Sequence, residues 1–291
     1  MTQKLIDGKQ ISAKLKSSIK ERVEAARRER GLAVCLAVVL VGDDPASAVY
    51  VRNKHKACEF VGIESRNIVM PSSTTQDELE TTVARLNEDK SVHGILLQLP
   101  LPKGLNADRV LQLVNPEKDV DGLSYVNSGK TFLNIPDGNV ACTPQGIVYL
   151  LHETLGRSLT GKTAVVIGRS RLVGLPVAAL LIHENCTVTV AHSKTVDIES
   201  LCATADIVVA AIGRPNLVKR HWIKDGAVVI DVGINRVTDG SQKSRLVGDV
   251  DFDDVIGKSA AITPVPGGVG PMTIACLLIN TLNSAIRSVG T

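Results

Sequence analysis

Apolar and polar positions in the first part of the chain follow two patterns, one typical of helices and one of buried strands. Residues 8–30 carry apolar side chains at fourfold spacing, with charges elsewhere and Gly31 as a stop signal, which predicts an amphipathic helix. Residues 32–41 form a nearly continuous apolar run, as expected of a strand buried on both faces of a parallel sheet. Similar patterns predict helices near 46–60, 75–87 and 107–114, and strands near 67–70 and 92–99. Thr75-Gln76-Asp77-Glu78 predicts a capping box at the start of the second of these helices. The alternating order indicates an α/β domain with a parallel sheet.

The second half of the chain repeats this alternation after an interruption. Residues 116–140 lack apolar periodicity and are expected to form a loop-like connection, followed by a helix that starts at Thr143-Pro144. A strand, a glycine-bearing turn, a helix and a strand over 163–190 make a βαβ unit. Further strands near 207–212, 227–232 and 261–262 precede a closing apolar helix. We therefore expect two α/β domains, residues 1–140 and 141–271, with the helix 272–291 joined to the first.

Composition narrows the class of protein. The 291 residues are 44% hydrophobic and 22% charged, which is typical of a soluble globular protein, while aromatic residues make up only 2% and leave no base-stacking platform. A net charge of +3 from dispersed residues argues against a nucleic-acid partner. The six cysteines are far apart, without a C-x-x-C pair, and indicate reduced thiols. We expect a cytoplasmic protein with no membrane partner and no metal site.

The turn Gly168–Pro176 shows which dinucleotide to expect. Glycine lets the backbone approach a pyrophosphate, and the next helix offers free N–H groups to it. An NAD site usually places an acid roughly 20 residues after the first glycine. Here that place reads Ala191-His192-Ser193-Lys194, with no acid from there up to Asp197, and Arg169 lies inside the turn. NADP is therefore favoured. Ser170 replaces the second glycine of the usual motif and Gly174 comes one position late, so an ordinary βα turn is the alternative.

Tyr50 and Lys54 are spaced i, i+4 and share one helix face. Arg52, His55 and Lys56 crowd the same segment. Neighbouring positive charge with partial burial would lower the pKa of Lys54 and make this amine a usable general base. The alternative is a solvated basic helix face.

Three other features have two interpretations each. Gln98 ends an apolar strand, where its amide either meets a ligand or bonds the following loop. Asp119 and Asp121 are turn formers, or one of them presents a carboxylate to a nitrogen heterocycle. The proline- and glycine-rich stretch Pro264–Pro271 either lies against a flat ligand or acts as a rigid linker.

These motifs together resemble the bifunctional methylenetetrahydrofolate dehydrogenase/methenyltetrahydrofolate cyclohydrolase (FolD) family. The resemblance implies two α/β domains with a cleft between them, the second domain Rossmann-like, and usually a homodimer formed through the nucleotide domain. It also implies NADP-dependent oxidation of 5,10-methylenetetrahydrofolate and hydrolysis of the 5,10-methenyl product to 10-formyltetrahydrofolate. The matching stretches cover both domains in the family's order, at 47–58, 94–102, 118–122, 168–176, 227–235 and 263–273.

Site roles follow from the matching positions of this family. Lys54 corresponds to the cyclohydrolase lysine, either as base toward water or as acid toward a ring nitrogen, and Tyr50 stacks on the folate or borders it. Gln98 holds the lysine neutral and oriented, and Asp121 binds the pterin ring. The folate site would further include Leu97, Leu99, Pro266, Gly267, Gly268, Val269 and Gly270. The cofactor positions would be Gly168, Arg169, Ser170, Ser193 and Ile234.

Two rival functions remain at this stage. An NADP-dependent dehydrogenase without cyclohydrolase activity would not need Lys54. A dinucleotide-sensing module without chemistry would leave Tyr50, Lys54, Gln98 and Asp121 unexplained.

Overall fold

The computed structural model describes residues 4–238 and 244–290. In chain order its first elements are β1 Lys4–Leu5, α1 Gly8–Arg30, β2 Cys35–Val41, α2 Pro45–Val61, β3 Glu64–Met70, α3 Gln76–Glu88, β4 Gly94–Leu97, α4 Ala107–Leu113, α5 Tyr125–Phe132 and α6 Cys142–Leu155. The remaining elements are β5 Thr163–Ile167, α7 Gly174–His183, β6 Thr187–Ala191, α8 Ile198–Cys202, β7 Ile207–Ala210, β8 Val228–Asp231, β9 Asn235–Thr238, β10 Ser244–Val247, α9 Phe252–Val255, β11 Ala261–Ile262 and α10 Val269–Ser288.

The chain divides into two compact units, each with its own parallel sheet. The six-stranded unit combines the N-terminal segment up to Ser12 with Thr143–Thr273, and the three-stranded unit combines Ala13–Cys142 with the segment from Ile274 onward. The sequence pattern predicts that residues 1–140 all belong to one domain. The structure differs at the N-terminus because β1 pairs in parallel with β11, and the Ile6 N–H donates to the Ile262 carbonyl at 2.9 Å. Such a pairing of distant segments leaves no local pattern in the sequence.

The six-stranded sheet has the order β1-β11-β8-β7-β5-β6, with every pair parallel. In the sheet, β5 lies between β6 and β7. The chain adds β6 on one side of β5 and then returns to add β7 on the other side, so the strand order reverses at β5. Aliphatic side chains from the strands and the flanking helices fill its core, as the scarcity of aromatic residues predicts. This is the α/β architecture expected for the second half of the chain.

The three-stranded sheet has the order β3-β2-β4, again all parallel. Strand β2 is buried at each of its positions, as its apolar run predicts. Helix α3 opens with the predicted capping box between Thr75 and Glu78. From α10, the Asn280 side chain donates to the carbonyls of Val120 at 2.9 Å and Val140 at 2.8 Å. Helix α10 is therefore hydrogen-bonded to two segments of this unit, those that contain Val120 and Val140.

The loop predicted over residues 116–140 is wrong for part of that range, because α5 lies inside it. Ser124 caps this helix by accepting a hydrogen bond from the Asn127 N–H at 3.2 Å. The side chains that α5 buries are polar, Asn127 and Thr131, whereas several of its apolar residues are exposed. A search for apolar periodicity cannot detect a helix whose buried face is polar.

Helix α10 is long and apolar enough, by these two criteria alone, to cross a membrane. Within this protein, 61% of its most apolar stretch is buried, as in a core helix of a soluble domain. Among residues 4–238 and 244–290, no cluster of His, Cys, Asp or Glu is placed to hold a metal ion. The predicted lack of a membrane partner and of a metal stays a prediction.

Candidate active site and cofactor cavity

Lys54 lies on α2, which starts immediately after the carboxyl end of β2. Asp44 caps this helix by accepting a hydrogen bond from the Ser47 N–H at 2.7 Å, and Pro45 occupies the first turn. The ammonium or amine Nζ of Lys54 donates to Oε1 of Gln98 at 2.9 Å. Gln98 follows β4, the neighbour of β2, so two adjacent strands deliver the two side chains to one place.

The Gln98 amide is held in one orientation. Its Nε2 donates to the Leu99 carbonyl at 2.7 Å, which leaves Oε1 to face Lys54. The side chain is only 7% exposed. The structure thus confirms that Gln98 bonds the following loop, and it adds a contact with the lysine. Contact of Gln98 with a ligand stays a prediction. A neutral acceptor orients the amine without adding the negative charge that would stabilise its protonated form.

Burial lowers the pKa of Lys54, and the nearby Asp121 carboxylate partly opposes this by favouring the charged lysine. Burial likewise raises the pKa of Asp121, against the effect of the Lys54 charge. The two groups thus form a coupled pair in which each restrains the other's shift. The basic-face alternative for Lys54 does not fit, because the side chain is partly buried and bonded to Gln98.

Asp119 and Asp121 have different tasks. The buried carboxylate of Asp119 accepts the backbone N–H groups of Gly122 at 3.0 Å and Ser124 at 2.8 Å, and the Asn127 amide at 2.9 Å. Asp119 is therefore the turn former. Asp121 instead lies near Lys54 and the Cys142 thiol, and both of these groups act to lower the pKa of its carboxyl against the effect of burial. Its contact with a ligand stays a prediction.

The remaining predicted residues of this unit differ in accessibility. Tyr50, one turn before Lys54, is 45% exposed and available to border a substrate. Leu97 is 3% exposed and belongs to the hydrophobic core, with Leu99 packed against the same cluster. Their contact with folate stays a prediction.

The six-stranded unit contains a cavity of about 520 Å³ at the carboxyl ends of its strands. Its lining comes from the residues after β5, β6 and β7, three adjacent strands at the point where strand order reverses. Ligands of open α/β sheets bind at this position. Of the predicted cofactor residues, the structure brings four to this cavity: Gly168, Arg169, Ser170 and Ser193.

The turn at the start of α7 depends on two glycines. Gly168 has φ +119°, and a Cβ there would overlap the Ala211 carbonyl oxygen. A Cβ at Gly174 would overlap the Gly168 carbonyl, so Gly174 provides the close packing expected of the third motif glycine despite its late position. The Ser170 hydroxyl accepts the Val173 N–H at 3.2 Å and the Gly174 N–H at 3.4 Å. The unusual spacing therefore builds a working turn.

The cavity is suited to anions. Arg169 and Arg214 line it together with His192 and the hydroxyl-bearing Ser193 and Thr195. Among the described lining residues none carries a carboxylate, so the acid that would bind the ribose diol of NAD is missing in space as well as in sequence. Three of these lining residues are not among the cofactor positions predicted from the sequence: Arg214, His192 and Thr195. The position of Arg214 immediately after a strand of the βαβ array was the available signal.

Two buried carboxylates lie behind this cavity. Asp249 accepts three successive backbone N–H groups, those of Ile212 at 2.6 Å, Gly213 at 2.9 Å and Arg214 at 2.9 Å. Asp231 accepts the N–H of Asp249 at 2.9 Å, and burial raises the pKa of Asp231 to about 7, although its backbone donors oppose the rise. These residues shape the loop that follows β7.

Ile234 and the proline–glycine stretch lie elsewhere in the same unit. Ile234 is 51% exposed and does not line the cavity. A Cβ at Gly270 would lie 3.9 Å from Cδ1 of Ile234, which places Ile234 beside this stretch. The stretch is also packed against α1, since a Cβ at Gly8 would overlap the Gly268 carbonyl and the Lys9 N–H donates to the Gly267 carbonyl at 3.1 Å. The folate role of residues 266–270 stays a prediction.

Comparison with known proteins identifies the family. Residues 141–289 match the model of the tetrahydrofolate dehydrogenase/cyclohydrolase NAD(P)-binding domain, and residues 6–121 match that of the catalytic domain. The bifunctional protein FolD of Sphingopyxis alaskensis is 55% identical over 99% of this chain and 95% of its own length.

Solved structures agree with this assignment. The bifunctional FolD enzyme of Campylobacter jejuni has a TM-score of 0.91 at 47% identity and covers 97% of this chain and 98% of its own. The Trypanosoma brucei methylenetetrahydrofolate dehydrogenase-cyclohydrolase, solved with NADP cofactor and an inhibitor, has a TM-score of 0.92 at 42% identity, over 99% and 98% of the two chains. The chain therefore belongs to the tetrahydrofolate dehydrogenase/cyclohydrolase family that its motifs resemble.

Proposed function

We propose that this protein oxidises 5,10-methylenetetrahydrofolate with NADP and hydrolyses the resulting 5,10-methenyltetrahydrofolate to 10-formyltetrahydrofolate. Family membership supplies the two activities and the class of cofactor. The structure supplies the reasons for assigning particular residues to each step. The observation that carries the proposal is the bond from Lys54 Nζ to Gln98 Oε1 at 2.9 Å, in a partly buried site next to Asp121.

The cofactor site fits NADP better than NAD. The Gly168–Gly174 turn lets the backbone approach a pyrophosphate, while Arg169 and Ser193 are available to a 2′-phosphate in a cavity without an acid among its described lining residues. When bound, NADP accepts the hydride from the one-carbon bridge of the folate. For this step the protein mainly has to position two ring systems, since no proton transfer is required.

Hydrolysis requires the chemistry of Lys54. Its lowered pKa increases the fraction of neutral amine near pH 7, and the amine accepts a proton from the water that attacks the methenyl carbon. The lysine then carries a proton that it can return to the ring nitrogen as the C–N bond breaks. The remaining hydroxyl proton of the adduct leaves to solvent as the formyl C=O bond forms, so the net reaction releases one proton. Gln98 keeps the amine directed during this exchange. Asp121 binds the N–H groups of the pterin ring and so holds both folate species.

The test follows both steps in one assay. Purified protein is mixed with methylenetetrahydrofolate and either NADP or NAD, and the absorbance of reduced nicotinamide and of the methenyl species is recorded. We expect a strong preference for NADP and little accumulation of the methenyl species. Equal efficiency with both cofactors would refute the NADP assignment, and stoichiometric accumulation of the methenyl species would refute cyclohydrolase activity.

We further propose a cytoplasmic homodimer. The six cysteines are all free and buried, which fits a reducing compartment. Strand β6 forms one edge of the six-stranded sheet and offers unpaired backbone groups to a second copy. Light scattering at several concentrations tests the dimer, and a constant monomer mass would contradict it. Cell fractionation tests the location.

A further inference from the structure

Arg214 is a cation of the cofactor cavity that the assigned cofactor residues do not include. It lies on the loop after β7, and Arg169 lies on the loop after the adjacent strand β5. Neither guanidinium has an ion-pair partner within residues 4–238 and 244–290. Two unpaired arginines on neighbouring loops, with hydroxyl groups of Ser193 and Thr195 nearby, form an arrangement that recognises a phosphate dianion.

The backbone of this loop is fixed from behind. The fully buried Asp249 accepts the N–H groups of residues 212, 213 and 214. A fourth hydrogen bond, donated by the Asn235 amide at 2.9 Å, holds the Asp249 carboxylate itself. Charge-assisted bonds of this kind are among the stronger hydrogen bonds in proteins. The loop therefore presents Arg214 from a defined backbone position, which reduces the entropy lost when the side chain binds a ligand.

We propose that Arg214 is a second specificity-determining residue, which binds the 2′-phosphate of NADP together with Arg169. The proposal rests on the proposed function, because it requires NADP to occupy this cavity. It assigns Asp249 as a positioning residue that acts through the loop. A role in binding the pyrophosphate, common to NAD and NADP, is the competing possibility.

The experiment compares four ligands that separate these phosphates. Binding of NADP, NAD, 2′,5′-ADP and 5′-AMP to the intact protein is measured by calorimetry for wild type and Arg214→Gln. We expect the variant to bind NADP and 2′,5′-ADP about tenfold or more weakly and to bind NAD and 5′-AMP as wild type does. Arg214→Lys should recover part of the loss, because a point charge replaces the planar guanidinium.

The control is Arg157→Gln, which removes the same charge from an exposed position of the same unit that does not line the cavity. It should leave all four affinities unchanged. An equal loss for all four ligands in Arg214→Gln, or no loss for any, would overturn the inference. If wild type itself bound NADP no better than NAD, the proposed function would fail instead, so the two failures are distinguishable.

Discussion

The two sites of this protein occupy equivalent places in two different sheets. In the three-stranded unit, β2 lies between β3 and β4 in the sheet. Lys54 comes after β2 along the chain and Gln98 comes after β4, and their side chains meet. In the six-stranded unit, β5 is flanked by β6 and β7 in the same way, and the cofactor cavity lies at these strand ends. Topology alone therefore provides a binding position twice.

What differs is the source of the chemistry. The cofactor cavity uses backbone groups, hydroxyls and exposed arginines, whose charge does not depend on the surroundings at ordinary pH. The lysine site uses burial, a neutral amide and a carboxylate to change the protonation of one amine. A site that only binds and orients can be built from constant charges, whereas a site that moves a proton needs a tuned group.

The largest effect should come from Lys54→Met. General acid–base assistance is typically worth ~10²–10⁴-fold, so cyclohydrolase activity should fall by about that factor while hydride transfer stays measurable. The measurement is accumulation of the methenyl species during turnover, which should rise and persist. Lys56→Met, on the exposed side of the same helix, is the control and should behave as wild type. Hydrolysis at the wild-type rate in Lys54→Met would contradict the role of Lys54 as the proton acceptor.

Asp121→Asn should damage both activities together. A carboxylate that holds the pterin ring contributes to the binding of each folate species, and a charge-assisted bond is worth ~1.5–3 kcal/mol, or about ten- to a hundredfold in kcat/KM. Both activities are assayed with the same preparation. Loss of only one would show that Asp121 takes part in that reaction's chemistry rather than in binding.

Arg169→Ala tests the constant-charge site. Loss of a charge-assisted bond to the 2′-phosphate should weaken NADP by about ten- to a hundredfold and leave NAD nearly unaffected. Cofactor KM values for both dinucleotides provide the measurement. An equal effect on NAD and NADP would mean that Arg169 serves the shared part of the cofactor.

A smaller effect is expected from Gln98→Ala, which removes the acceptor but leaves the amine in place. Cyclohydrolase activity should fall less than in Lys54→Met because the lysine loses orientation rather than its reactive atom. In wild type, the pH profile of hydrolysis should rise through an ionisation below the usual lysine value of about 10.4, since burial lowers the pKa of Lys54 and the neutral amine is the active form. A profile without such an ionisation would contradict the role of Lys54 as base.

Sequence patterns predicted the parts of the fold that depend on local contacts. The fourfold spacing of α1, the capping box of α3 and the buried run of β2 each report on neighbours within one element. The polar buried face of α5 and the pairing of β1 with β11 depend on distant partners. These two features could be recognised only in three dimensions.

The same limit applies to the sites. Residues 168–174 predict a nucleotide-binding turn from sequence, because one short segment contains the glycines on which the turn depends. Spacing could not separate Asp119 from Asp121, since the difference lies in which N–H groups each carboxylate meets. Arg214 could not be recognised from the sequence, because Asp249 and the neighbouring strand ends place it at the cavity.

The two compact units are both discontinuous along the chain, and this has a consequence for biosynthesis. One needs β1 to meet β11, and the other needs α10, whose Asn280 joins the carbonyls of Val120 and Val140 beside the segment that carries Asp121. Domains generally fold as units while the chain emerges from the ribosome, N-terminal part first. Here the early segments cannot complete their units at once, since one unit requires β11 and the other requires α10, and both elements are translated much later. Helix α10 therefore completes the surroundings of the segment that carries Asp121, which is synthesised long before this helix.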